Sequence, residues 1–332
     1  DSIQSSESSS LSSSYIATSP SFGNIISQGL MGEVGYAYDA LNGGFKYDMA
    51  SRVNLTNDYE ALIDLSSELS KLDSPVSTSN NNLIEEGFSG TVSPLLKTNN
   101  LETTLTFGSN SLPVQSFFGS SIDSAVDLSD FETSYLKSEE GGLGLSANYG
   151  LENARLIIGV SNPVKHNNYS DSVIGSQQSI IASLEYGDLS DTGITLMSGI
   201  TQEKDNLLGL QGSDAFSTVG AKSNTVFSAL KAQSNFNENL TLTGIATLAN
   251  TNMNQPELSF IDSANNVRSS SLALVASQKN ITGDDHLSLS VSQPDRIHGG
   301  EMSIRMSNLA QSNGDISYRN KNIELKATGR QL

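Results

Sequence analysis

Cysteine and tryptophan are both missing from these 332 residues, and cations are scarce: 18 Lys and Arg stand against 36 Asp and Glu, a net charge of −18. Without cysteine there is no disulfide framework, no thiolate zinc site and no cysteine nucleophile. Only three histidines are present, so a multi-histidine metal centre would use nearly all of them. A chain this acidic, with no basic run, does not bind nucleic acid by neutralising phosphate. No run of about 18 apolar residues exists, so no helix is expected to span a membrane. Aromatics amount to 10 Tyr and 11 Phe, few for two interfacial girdles, which weighs against a conventional lipid-facing barrel. The hydrophobic share is 36%, which suits strands buried on one side only.

What is present is alternation. Val34, Tyr36 and Tyr38 alternate, as do Phe45, Tyr47 and Met49, with Asn42-Gly43-Gly44 between them as a tight turn. Tyr59, Leu62, Leu65, Leu69 and Leu72 fall at helical spacing behind Asp58, a candidate N-cap, and before Pro75. That segment is read either as a helix packed on a sheet or as a plug or linker helix in a barrel lumen. Residues 103–107, 143–149 and 154–160 read as strands. From 179 onward the pattern is plainest: 179–187, 192–201, 225–236, 240–250, 269–280 and 286–294 alternate and are joined by short polar turns. Strands of about 9 to 12 residues exceed the globular mode and match the length that crosses a bilayer when tilted. One face carries Leu, Val, Ile and Ala, the other Ser, Thr, Gln and Lys. Alternation does not say whether the apolar face meets lipid or a protein core.

The expected fold class is therefore mainly β: a large antiparallel meander of long hairpins, barrel-like, with one or two short N-terminal helices and roughly ten to fourteen strands. Residues 1–18 read as a Ser-rich flexible tail or linker rather than a targeting peptide. Residues 19–85 read as an N-terminal hairpin and amphipathic helix, and 86–332 as the antiparallel β-region, incomplete at its C-terminal edge.

Several segments carry a resemblance. They are SPSFGNIISQ (19–28) with Asp39 and Asp48, TQEKDNLLGLQGSDAFSTVGAKSNTVFSAL (201–230), VSQPDRIHGGEMSIRM (291–306) and ISYRNKNIELKATGRQL (316–332). Together they resemble the region downstream of the protease domain in subtilisin-like serine peptidases of Gram-negative bacteria, chiefly alphaproteobacteria. That resemblance implies an autotransporter-like outer-membrane barrel, or a β-rich surface module, that anchors or exports a passenger. It also implies further strands beyond Leu332.

The protease chemistry itself is not expected on this chain. A subtilisin-like triad needs an Asp, a His after a short spacing, and a Ser in a Gly-Thr-Ser context. Asp191-Thr192-Gly193 opens a hairpin strand, His298-Gly299-Gly300 matches a His segment loosely, and no serine motif follows. Asp284, Asp285 and His286 sit in a polar hairpin tip, and His166 in a plain polar stretch. The pairs Glu85-Glu86 and Glu139-Glu140 precede glycines and read as solvated turns. Asp123, Asp127 and Asp130 are too irregular for an EF-hand. Gly141 to Gly144 lacks the Lys-Ser/Thr of a phosphate loop. No catalytic, cofactor-binding or metal residue is assigned, and no cofactor, nucleic acid or small-molecule substrate is expected. The chain is expected to be a non-enzymatic anchor or translocator at the outer membrane or cell surface of a Gram-negative bacterium. The alternative is a soluble extracellular protein that self-assembles through strand contacts between identical subunits.

Overall fold

A computed structural model describes residues 16–18, 21–38, 44–55, 90–98, 100–107, 142–163, 176–188, 192–205, 220–237, 239–254, 259–281, 285–308 and 317–326, apart from 282 and 284, with single positions between them. The Ser-rich tract, the helical pattern at 57–72 and the acidic clusters at 85–86, 123–130 and 139–140 lie outside the described residues, as do Asp39, Asp191 and His166.

Eleven strands form one antiparallel sheet. In chain order its members are β5 (Gly90–Lys97), β6 (Leu101–Phe107), β7 (Gly142–Gly150), β8 (Ala154–Pro163), β9 (Ser176–Asp188), β10 (Thr192–Lys204), β12 (Lys222–Asn235), β13 (Leu240–Asn254), β14 (Ile261–Lys279), β15 (His286–Ser307) and β16 (Tyr318–Glu324). Each pairs with the one before it, so the sheet is a pure meander with β5 and β16 as its two edges. The mainly-β, long-hairpin architecture expected from the periodicity is what is found. The hairpin β2 (Val34–Tyr38) and β3 (Gly44–Asp48) is also where the alternation placed it.

Turn chemistry explains the register. The β9–β10 hairpin closes through Gly187 at φ 85°, where an added Cβ would lie 2.5 Å from the Thr192 carbonyl oxygen, so only glycine fits. Asn237 Oδ1 accepts from the Asn239 and Leu240 amides at 2.9 and 2.8 Å, an Asx turn that fixes β12 on β13.

Connections differ at the two ends of the sheet. At one end, the turn end, they have three residues (98–100, 151–153, 189–191), four (236–239) or six (280–285). At the other, the loop end, they have 34 (108–141), 12 (164–175), 17 (205–221), six (255–260) and ten (308–317).

The N-terminal elements lie against one face of this sheet. They are β1 (Ile16–Thr18), α1 (Ile25–Gly29), β2, β3, a 3-10 turn (Ala50–Arg52) and β4 (Val53–Leu55). β1 pairs in parallel with β4 and antiparallel with β11 (Gln211–Gly212), a two-residue strand in the β10–β12 connection. Ile16, Phe22, Ile26, Leu30 and Met49 share one apolar cluster with Ile181, Met197, Phe227, Ile245, Val275, Ile297 and Ile304 of the sheet. Each such buried side chain is worth roughly 1.5–3 kcal/mol. Tyr135 lies in the same cluster, with its ring centroid 5.5 Å from that of Phe227 and its hydroxyl donating to Thr247 Oγ1 at 3.1 Å.

Candidate functional site

The long strands alternate between a covered face, beneath the N-terminal elements, and a bare face, with interruptions at the register shifts of β13 to β15. On β10 and β12 the burial alternates almost residue by residue. What distinguishes this sheet is which residues take which face.

The bare face is aliphatic. Val160, Ile180, Ile200 and Val226 stand directly opposite one another across four strands. Leu156, Leu184, Leu196 and Leu230 form a second such row four residues along the strand. Leu145 and Tyr149 on β7, Leu248 on β13, Leu272 and Leu274 on β14, and Leu287, Leu289 and Val291 on β15 continue the belt, with Val291 75% exposed. Eighteen large apolar side chains of β7 to β15 are exposed on this face. At even about 50 Å² each they sum to roughly 900 Å², above the ~300–600 Å² of the largest patch on a typical soluble monomer.

The covered face is mixed: beside the apolar cluster it buries a set of polar and charged side chains. Ser179, Thr201, Thr225 and Thr251 form a buried hydroxyl row, bonded in pairs at 2.9 Å (Ser179–Thr201) and 2.7 Å (Thr225–Thr251). Glu185 and Lys231, 3% and 4% exposed, stand on either side of Thr195. Glu185 accepts from Arg155 at 2.5 and 2.6 Å. Lys231 Nζ donates to the Phe117 carbonyl at 2.9 Å. Glu203, also buried, accepts from Ser223 Oγ at 3.1 Å and from the Leu208 amide at 3.3 Å. The Ser183 and Thr195 hydroxyls are buried with no partner among the described residues. Buried charges need partners, and here the partners come from neighbouring strands and from the chain crossing the covered face.

The belt has definite margins. On β10 it runs from Ile194 to Ile200 and is bracketed by Thr192 and Gln202. Its loop-end margin is level across Val160, Ile180, Ile200 and Val226, then steps: Leu248 lies two residues below the partner of Val226, Leu272 pairs with Ala246, and Val291 pairs with Leu274. Tyr149, Tyr186 and Phe236 are exposed at the turn-end margin and Tyr318 towards the loop end. The aromatics are few, as the composition indicated, but three of them are gathered at one margin.

Two of the segments that carry the resemblance, 19–28 and 291–306, meet on the covered face, and neighbouring residues add further contacts. Ser21 Oγ donates to Asp295 Oδ2 at 3.3 Å, and the Ile297 amide donates to the Ser21 carbonyl at 3.0 Å. Tyr36 and Ser307 exchange hydrogen bonds, the amide of Tyr36 donating at 3.2 Å and the Ser307 hydroxyl donating to the Tyr36 carbonyl. Glu33 accepts from Lys321 at 2.6 Å and from Arg319 at 3.0 Å. Those bonds hold the Glu33 carboxyl below its usual range, the Lys321 hydrogen bond first, while burial pushes the other way. Asp48 accepts from the Ala50 amide at 3.1 Å at the start of the 3-10 turn.

The histidine candidate falls elsewhere. His298 is exposed on the bare face, its ring nitrogen 3.4 Å from the Arg296 carbonyl. Among the described residues no three His, Asp or Glu gather as metal ligands, and no helix is long and apolar enough to cross a membrane. No protein-family model, curated protein or solved structure matches the chain.

Proposed function

We propose that this sheet is a membrane-embedded β-structure of the outer-membrane type, its bare face against lipid and its covered face enclosing the N-terminal elements. The observation that carries this reading is the pairing of a continuous exposed aliphatic belt outward with Glu185, Lys231 and the hydroxyl row buried beside the apolar cluster inward. In water that belt would stand exposed. In a bilayer the arrangement is the stable one, because lipid-facing and lumen-facing residues alternate with apolar outward. Dimensions agree. Thr192 and Gln202 are ten residues apart, about 33 Å of strand, which at a tilt near 40° projects to about 25 Å, the height of the lipid band of such barrels. Short turns at one end and longer connections at the other are the usual asymmetry of these proteins.

The role that follows is non-enzymatic anchoring or translocation at the surface of a Gram-negative cell. Attachment to a subtilisin-like passenger rests on the motif resemblance alone. Extraction and refolding test the membrane reading. The full chain should require detergent and should run on an unheated gel as a compact, heat-modifiable band. A chain that stays monodisperse in buffer without detergent overturns it. The two edges β5 and β16, unpaired by any strand among the described residues, favour the second reading, a soluble assembly built by strand addition, and that outcome would support it.

A further inference from the structure

Cations are rare in this chain, yet four follow the loop-end margin of the belt. Beyond Ile200, Lys204 is four residues on; beyond Val226, Lys222 is four; beyond Leu272, Arg268 is four; and beyond Val291, past a register shift, Arg296 is five. The cations therefore step down with the margin from β12 to β15 and do not follow the strand register. Lys204 and Lys222 are direct cross-strand partners on the same face, both exposed. Like charges directly opposite repel, and neither they nor Arg268 makes an ion pair among the described residues. Between belt and cations lies a neutral row, Gln178, Gln202, Asn224 and Asn252, each opposite the next, with Gln202 Nε2 donating to Asn224 Oδ1 at 3.3 Å. On β10, β12 and β13 no carboxylate occupies this face from the margin to Lys204 and Lys222, whereas on β15 and β16 the cross-strand partners Glu301 and Glu324 are exposed.

Four residues of strand are about 13 Å, or about 10 Å along the normal at a 40° tilt, which is headgroup depth. Long Lys and Arg stems can bend back toward the interface from there. The geometry points to a basic collar, Lys204, Lys222, Arg268 and Arg296, that binds phosphate-bearing headgroups of anionic lipid in the leaflet at the loop end. This rests on the membrane reading above. Charge complementarity and direct continuity with the lipid-facing belt select a lipid, and the repulsion between Lys204 and Lys222 is relieved when a phosphate lies between them.

The full chain would be refolded into phosphatidylcholine vesicles with and without a minor fraction of phosphatidylglycerol, and insertion followed by the heat-modifiable band. The wild type should favour the anionic vesicles by about tenfold. The variant K204Q/K222Q/R268Q/R296Q should insert into neutral vesicles like the wild type but lose that preference, whereas K46Q/K97Q/K326Q should keep it. Equal wild-type insertion into both vesicles, or an equal loss in the two variants, overturns the collar and leaves the membrane reading standing. Abolition of the preference by inorganic phosphate, at unchanged ionic strength, also overturns it, since the site would then be one for free anions. A wild type that enters neither vesicle and stays soluble defeats the membrane reading itself.

Discussion

At the scale of single residues, the exposed aliphatic belt turns ordinary substitutions into discriminating ones. Leu196 and Leu230 are direct cross-strand partners in the belt, both about half exposed. On a soluble protein, Leu196→Lys would change stability by about 0.5 kcal/mol or less. Against lipid the same change should cost about 2–4 kcal/mol. Denaturant titration of the vesicle-inserted chain measures the difference, and a near-neutral result there speaks for a water-facing sheet. Glu33 gives a pH prediction. Its carboxyl is depressed below the ordinary 4.5 mainly by the Lys321 hydrogen bond. The stability it contributes is therefore complete above the ordinary value and is lost as the pH falls through the depressed one. Glu33→Gln should lower stability by about 1 kcal/mol at neutral pH and flatten the acid limb of the stability profile. An unchanged acid limb would show that the ion pairs to β16 contribute nothing.

At the scale of elements, β14 and β15 are the instructive cases. The alternation gives a strand at 286–294, ending at Pro294. The strand in fact runs on to Ser307. Pro294 lies in a register shift, between the pairs Leu272↔Gln293 and Ser270↔Arg296, where a missing N–H costs no ladder bond. A second irregularity follows at Gly299-Gly300, opposite Asn266 at φ 51°. Gly300 has φ 124°, and an added Cβ would approach Val267 Cα to 2.7 Å and the Asn266 carbonyl oxygen to 2.8 Å. Gly300→Ala should therefore destabilise by about 1–3 kcal/mol, seen as a lower temperature at which the compact gel band is lost. No shift in that temperature would mean the bulge relaxes freely. These elements also show what was legible. Period two in 179–187, 192–201 and 225–236 is enough to write down the strands and their pairing. It is not enough to say which face is outside, since apolar-in and apolar-out sheets share one pattern. That information lies in what packs on the covered face: the Phe117 carbonyl on Lys231, and Tyr135 and the distant Ile16, Phe22, Ile26 and Leu30 in the apolar cluster, joined to the sheet by contacts such as Ser21–Asp295 that no local pattern encodes. The collar was hidden for a related reason, since its four cations are spread over 93 positions of sequence and align only along a stepped margin.

At the scale of the whole molecule, the two ends of the sheet should face different compartments. The chain has no cysteine, so each introduced one is a unique reporter. Asn237→Cys lies at the turn end and His298→Cys at the loop end, both exposed. On sealed vesicles with unidirectional insertion, a membrane-impermeant maleimide should label one and spare the other until the vesicles are opened. Equal labelling of both would place the two ends in the same compartment.

The two edges of the sheet have a consequence for assembly. With eleven alternating strands, β5 and β16 run in the same sense, from loop end to turn end. A second copy inserted in the same orientation could set its β5 beside β16 only in parallel. Antiparallel pairing of β16 with β16 is available through a two-fold axis normal to the sheet. That operation keeps the apolar faces on one side but turns one copy upside down, with its loop end where its partner has its turn end. No single leaflet asymmetry suits both copies of such a pair. Membrane insertion in one direction and two-fold joining at this edge are mutually exclusive by symmetry alone.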